Sequence, residues 1–139
     1  MAAIEQAAIA ATSLPPIIVA EEQFEELSTV AEQLAHAIPE VGHFLERELD
    51  RAKLMSLARM PGDIVTVGST VEFIFGMKGR AERLTLVYPA GAVAEHGFVS
   101  LASPVGVALL GMKAGNTISW STRYGDMRSL KVLAIEHKR

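Results

Sequence analysis

The sequence contains no cysteine, and no stretch of it stays apolar over the length that a membrane-spanning helix needs. The first absence excludes disulfide bonds and thiolate metal sites, and it suits a reducing cytoplasm, where we expect the protein to reside without a membrane partner. The N-terminal stretch lacks the positive charges of a secretory signal and is interrupted by Glu5. We therefore interpret residues 1–15 as a mobile tail.

The chain also lacks a large excess of charge of either sign, because the net charge of its 139 residues is only −3. Residues 1–61 carry ten acidic and four basic side chains, whereas residues 62–139 carry six acidic and nine basic ones. This weak asymmetry does not favour direct, sequence-specific binding to nucleic acid. Half of the residues are hydrophobic, which is enough for a compact domain with a sizeable core.

Apolar residues recur at steps of three and four in the first half of the chain, which is typical of helices. One stripe runs from Phe24 to Leu34 and ends before Ile38–Pro39, because the residue before a proline avoids the helical conformation. Pro39 can open a second helix, whose stripe runs from Val41 to Ala52. The short link predicts an antiparallel helical hairpin, which forms an arm over residues 16–60.

Pro61–Gly62 marks a boundary, because apolar residues beyond it recur at every second position, as in half-buried strands. Residues 61–139 therefore predict a second unit, an antiparallel sheet with one short helix across it, and the whole chain predicts an α+β fold. The strands are expected near residues 65–67, 71–75, 84–88, 98–101, 117–122 and 127–136.

A tight corner at Ser103–Pro104 interrupts the strands. Ser103 is a good helix N-cap, because its hydroxyl can accept a hydrogen bond from the first turn, and Pro104 suits the first helical position. The apolar run from Val107 to Leu110 continues the helix, and Gly111 fits the left-handed residue that closes it. These residues alone predict a structural cap.

Four segments of the back half resemble, in order, the C-terminal domain of the Gre transcript-cleavage factors: "VTVGSTVEF", "LTLVYPA", "VSLASPVGVALLGMKAGNTISW" and "LKVLAIE". Together with "PPIIV", "ELDRAKLMS" and Trp120, they make the chain similar to the regulator of nucleoside diphosphate kinase family, often called Rnk. The resemblance covers all but the two ends of the chain, and it implies an FKBP-like fold for residues 61–139.

The resemblance also implies binding to bacterial RNA polymerase at the rim of its secondary channel. In Gre factors, the corner that corresponds to Ala102, Ser103 and Pro104 contacts a coiled coil of the largest polymerase subunit. We extend the expected contact to Val105 and Gly106. Gre proteins often carry an acidic residue where this chain has Ala102, so one salt bridge of that contact is missing.

The predicted arm departs further from the Gre pattern, in which acidic side chains at the tip of a long coiled coil hold a catalytic metal. Here the arm is much shorter, and its tip contains His36, Ile38, Pro39 and a single carboxylate, Glu40. Two carboxylates are the plausible minimum for helping to hold Mg²⁺. We therefore expect a non-enzymatic transcription regulator with no catalytic residue, metal or cofactor.

Two other functions stay open. The family name implies control of the level or activity of nucleoside diphosphate kinase, with the kinase as a second partner. The fold allows a prolyl isomerase, although the aromatic pocket of such enzymes is not evident, and Trp120 is interpreted as core packing. His36 and His43 lack a third metal ligand and are interpreted as surface residues, whereas His96 and His137 have no evident partner.

Overall fold

The computed structural model describes residues 11–76, 79–91, 97–122 and 124–137. It contains a helical hairpin followed by a sheet with one short helix, so the predicted α+β class is confirmed. The elements, in chain order, are β1 (Ala11–Ser13), β2 (Ile18–Ala20), α1 (Glu21–Ala37), α2 (Pro39–Arg51), β3 (Lys53–Met55), β4 (Thr70–Phe75), β5 (Ala81–Val87), β6 (Phe98–Ser100), α3 (Pro104–Leu109), β7 (Thr117–Ser121) and β8 (Met127–Glu136).

The hairpin has the predicted turn. Only Ile38 separates α1 from α2, and its N–H donates a hydrogen bond of 2.6 Å to the Leu34 carbonyl, which closes α1. Pro39 opens α2 at a position where a missing N–H costs nothing. Gly42 lies against the main chain of α1 at Ala35, and this close approach brings the two helices together along their apolar faces.

A six-stranded sheet follows, with the strand order β1-β7-β8-β4-β5-β6. Four of its five pairings are antiparallel, but β6 runs parallel to β5, with Leu86 opposite Val99. The prediction of a fully antiparallel sheet is therefore wrong at this edge. The alternation of side chains marks a strand but carries no information about its direction, which depends on the path of the connecting chain.

Residues 11–13 correct the prediction of a mobile tail over residues 1–15. They form β1, and Ala11 pairs with Trp120 on the edge of the sheet. Pairing of this kind does not require alternating apolar and polar residues in the sequence, because main-chain groups supply the hydrogen bonds. Residues 1–10 lie outside the described residues.

Among the described residues, two further strands are present that the sequence did not predict, and one predicted strand is missing. β2 and β3 form a separate two-stranded parallel sheet at the base of the hairpin, with Val19 opposite Leu54. The strand expected at residues 65–67 is absent from the described segment. Val65 instead exchanges hydrogen bonds of 2.9 Å with Gly111 and Met112, in the turn after α3.

One hydrophobic core joins the hairpin to the sheet. Leu27 and Leu45 from the helices are fully buried in the same cluster as Val107 and Leu130. The predicted boundary at residue 61 therefore marks a change of secondary structure within a shared core. Within the described residues, the helices are too short or too polar to cross a membrane.

Candidate functional site

Hydrogen bonds fix the corner after β6 from both sides. The Ser103 hydroxyl donates to the Ser100 carbonyl at 2.7 Å and accepts from the Gly106 N–H at 3.2 Å. The Ser103 N–H also donates to the Ser100 carbonyl at 3.1 Å, and the Ala102 N–H donates to the Ser100 hydroxyl at 2.8 Å. Ser103 is thus the N-cap that the sequence predicted, and its single hydroxyl proton is already used within the corner.

The two glycines of this region pack closely or bend the chain. A Cβ on Gly106 would lie 2.0 Å from the Ser100 carbonyl oxygen, so only glycine lets α3 lie this close to the end of β6. Gly111 has φ +79° and closes the helix as predicted. Because Gly106 is buried, the structure gives it a packing role, and we leave it out of the surface available to a partner.

The remaining corner residues are half-buried. Ala102 and Val105 pack against the hydrophobic core with one side, because α3 lies against α2 and the sheet. What a partner can reach is a partial surface formed by Ala102, Pro104 and Val105, whose main chain is held in place by the Ser103 cap.

The start of α2 lies close to this corner. Glu40 borders a cavity of about 390 Å³, and Pro104 and Val105 form another part of its wall. The structure therefore brings one predicted residue of the arm tip together with two predicted residues of the corner. His36, Ile38 and Pro39 are exposed at the hairpin turn.

Aromatic side chains line the same cavity. Trp120 is only 1% exposed, and its ring centroid lies 6.3 Å from that of Phe75 and 5.8 Å from that of Phe44. Phe75, Trp120 and Tyr124 all reach the cavity wall. These three rings come from β4, β7 and the turn after β7, and no local sequence motif relates them.

A hydroxyl and an imidazole lie together elsewhere, at the end of β8. Ser69 Oγ lies 3.0 Å from His137 Nδ1, and His137 Nε2 lies 2.9 Å from the Gly62 carbonyl oxygen. A carbonyl oxygen can only accept a hydrogen bond, so Nε2 carries a proton. In a catalytic triad a carboxylate orients the histidine, whereas here a main-chain carbonyl accepts the hydrogen bond from His137. The pair ties the end of β8 to the turn before β4, and it gives His137 the partner that the sequence did not reveal.

Titratable groups give little sign of chemistry near the corner. Within the described ranges, no three histidine, aspartate or glutamate side chains lie close enough together to hold a metal ion. Burial, and secondarily the nearby Glu26 carboxylate, raise the pKa of Tyr88 to about 12. The phenol therefore stays neutral to a higher pH than that of an ordinary tyrosine, whose pKa is 10.0.

Comparison with known proteins places these features in a family. Residues 60–137 match the family described as "Transcription elongation factor, GreA/GreB, C-term". The regulator of nucleoside diphosphate kinase of Escherichia coli is 37% identical over 126 residues, which cover 91% of this chain and 93% of that protein.

Two further relatives carry the elongation-factor name. The transcription elongation factor GreA of Solidesulfovibrio magneticus is 37% identical over 76 residues, which cover 55% of this chain and 46% of that protein. A solved structure of a GreA/GreB elongation factor from Nitrosomonas europaea superposes with a TM-score of 0.69 at 31% identity, covering 89% of this chain and all of the other.

Proposed function

The chain belongs to the family of GreA/GreB elongation factors and regulators of nucleoside diphosphate kinase, and from this membership we propose that it is a bacterial transcription regulator that binds RNA polymerase without stimulating transcript cleavage. The proposed contact is made by Ala102, Pro104 and Val105, with Ser103 holding them in place. The partner surface is the coiled coil of the largest subunit at the rim of the secondary channel. The protein would act in the cytoplasm, where the polymerase is found.

The rigidity of the corner supports the proposal that the protein binds RNA polymerase. Proline fixes one backbone angle at residue 104, and the doubly bonded Ser103 hydroxyl fixes the start of α3. A surface that is ordered before binding loses little conformational entropy on docking. Because the Ser103 hydroxyl is used internally, we assign the contact itself to its neighbours.

The position of the hairpin supports the absence of cleavage, and this observation carries the proposal. α1 has 17 residues and is therefore only about 25 Å long. Its buried face and that of α2 pack into the core of the sheet domain, and Glu40 borders the cavity beside the corner. One carboxylate in this position is a poor substitute for the paired acidic groups at the end of a long coiled coil.

A direct titration against core RNA polymerase tests the binding site. Ala102→Arg places a bulky charge on the proposed contact and should weaken binding about tenfold or more, which corresponds to roughly 1.4 kcal/mol. Ala58→Arg is the matched control, because Ala58 is exposed on the short helical turn after β3. Circular dichroism would establish that both variants are folded. Equal affinity of the wild type and folded Ala102→Arg would contradict the assigned site.

A second candidate function is direct control of nucleoside diphosphate kinase. It is favoured by the name of the Escherichia coli relative, which matches over nearly the full length of both chains. Binding of the purified kinase to this protein, measured in the absence of polymerase, would support a direct effect. Binding to polymerase alone would favour an indirect effect through transcription.

The prolyl-isomerase alternative now has an observation in its favour, namely the aromatic cavity around Trp120. A cavity of this kind does not itself define a reaction, and the relatives carry the names of regulators and elongation factors. A proline-peptide isomerisation assay addresses this alternative. We expect no acceleration over the uncatalysed rate.

A further inference from the structure

The direction of β1 leads to the cavity beside the corner. β1 runs antiparallel to β7, and Ala11 pairs with Trp120. Each step back along β1 corresponds to one step forward along β7, so the same register, continued by two residues, would place Ile9 opposite Thr122. Thr122 forms part of the cavity wall. Chain that continues the line of β1 toward residue 1 therefore meets the cavity at Thr122.

The alternation of side chains assigns Ile9 to one face of the sheet. Residues that lie opposite each other in an antiparallel pair point to the same face, and so do residues two apart on one strand. Trp120 and Thr122 are two residues apart, and both line the cavity. In the continued register, Ile9 falls on this cavity face, whereas Ala10 falls on the opposite one.

The chemistry of residues 1–10 matches that of the cavity. Phe75, Pro104 and Val105 supply apolar wall, and the volume of about 390 Å³ is enough for a large apolar side chain. Residues 1–10 include two isoleucines, and Glu5 is their only charged side chain. Transfer of an isoleucine side chain from water to such a cavity is favourable.

Covalent attachment favours this segment over a separate ligand. Ile9 is only two residues from the pairing of Ala11 with Trp120. A free molecule loses translational and rotational freedom when it binds, whereas a segment tethered this closely has already lost most of that freedom. The occupant that these observations favour is therefore part of the same chain.

We propose that residues 1–10 continue β1 along β7 and place the Ile9 side chain in this cavity. The segment then covers one side of Pro104 and Val105, which also belong to the proposed polymerase contact. That consequence rests on the proposed function. The docking of the segment does not, and it is tested without polymerase.

Because the chain has no cysteine, introduced cysteine pairs report the register without background. The Thr122 N–H donates to the Asp126 carbonyl at 2.7 Å, on the β8 side, so an Ile9–Thr122 pair is of the non-hydrogen-bonded kind. The Cα atoms of such pairs are about 4.5 Å apart, within the range that a disulfide spans.

The test compares two double variants of the full chain in a glutathione redox buffer. Ile9→Cys/Thr122→Cys should form an intramolecular disulfide at least about tenfold faster than Ala10→Cys/Thr122→Cys, whose side chains lie on opposite faces. The two pairs differ by one residue of tether, which by itself changes the rate little. The ratio of rates therefore measures the register.

A second measurement reports whether the cavity is occupied. The thiol of Val105→Cys lies at its wall, and Leu54→Cys is the control, because Leu54 is 41% exposed on β3. Addition of Ile9→Asp places a charge on the cavity face, where burial is costly, and should speed maleimide labelling of Val105→Cys about tenfold. It should leave labelling of Leu54→Cys unchanged. Circular dichroism shows whether each variant is folded, and Thr122→Cys replaces Val105→Cys if the latter unfolds.

Equal rates for the two cysteine pairs would overturn the proposal. A disulfide-linked dimer would also overturn it, since the segment of a second copy would then occupy the cavity. Unchanged labelling of the folded Val105→Cys variant on addition of Ile9→Asp would likewise contradict it. None of these outcomes depends on polymerase binding, so failure of the docking and failure of the proposed function are distinguishable.

Discussion

Replacement of Gly42 with alanine is expected to push the two helices of the hairpin apart. An ideal Cβ at this position would lie 2.1 Å from Ala35 N, 2.4 Å from Ala35 Cα and 2.6 Å from Leu34 C. All three are main-chain atoms of α1, so rotation of a side chain cannot relieve the overlap. The nearest separation must grow from 2.1 Å to about 3.4 Å before the contact becomes ordinary.

The expected cost follows from two opposing effects. Overpacking of a tightly packed contact costs about 1–3 kcal/mol, and the upper end applies here because main chain has to move. Alanine in a helix interior recovers about 1 kcal/mol relative to glycine. We therefore expect a net loss of about 2 kcal/mol in the free energy of unfolding, which lowers Tm by roughly 8 °C in a domain of this size.

Urea denaturation and thermal melts followed by circular dichroism measure this loss. Gly62→Ala is the matched control, because a Cβ on Gly62 meets nothing within 4 Å and its φ lies outside the left-handed region. It should change stability by less than about 0.5 kcal/mol. A Gly42→Ala variant as stable as the wild type, or a Gly62→Ala variant destabilised to the same extent, would contradict the expected overlap between the helices.

Three further predictions concern stability. Ser103→Ala should cost about 1–2 kcal/mol in a urea titration, because it removes both hydrogen bonds of the N-cap hydroxyl, and Ser103→Thr should retain most of this stability. The pKa of Tyr88 rises from 10.0 to about 12 on folding, so the stability that the neutral phenol contributes is fully present below pH 10 and is lost as the pH rises to 12. Tyr88→Phe lacks this phenol and should therefore lose less stability than the wild type over this interval. Parallel curves of unfolding free energy against pH would contradict the assignment. Glu48 is 3% exposed and accepts two hydrogen bonds of 2.9 Å from Arg51. Glu48→Ala should therefore lower the free energy of unfolding by about 3–5 kcal/mol in a urea titration. A loss below about 1 kcal/mol would show that this ion pair does not stabilise the fold.

Long periodic segments explain why much of the fold could be predicted. The hairpin and β8 each contain enough apolar repeats to show their period, Pro39 marks the junction of α1 and α2, and Gly111 marks the end of α3. The cap at Ser103 could be predicted for a different reason, since its hydrogen bonds join residues only three positions apart. Interactions between residues close in sequence were therefore sufficient to predict the hairpin, β8 and the Ser103 cap.

Contacts between distant segments explain what could not be predicted. β1, β2 and β3 have three residues each, too few to show a period, and main-chain pairing with distant partners holds them. Gly42 reads as an unfavourable helix residue until the main chain of α1 is placed beside it. The cavity beside the corner likewise depends on Trp120, Phe75 and Glu40 meeting from three different elements.

The central claim is tested most directly by transcript cleavage in a stalled elongation complex to which a cleavage-stimulating Gre factor has been added. On its own, the protein should leave cleavage at the rate of polymerase alone. Added in increasing amounts with the Gre factor, it should suppress the stimulated rate, and Ala102→Arg should need about tenfold more protein for the same suppression. Stimulation by the protein itself, or no competition at concentrations well above that of the Gre factor, would contradict the account.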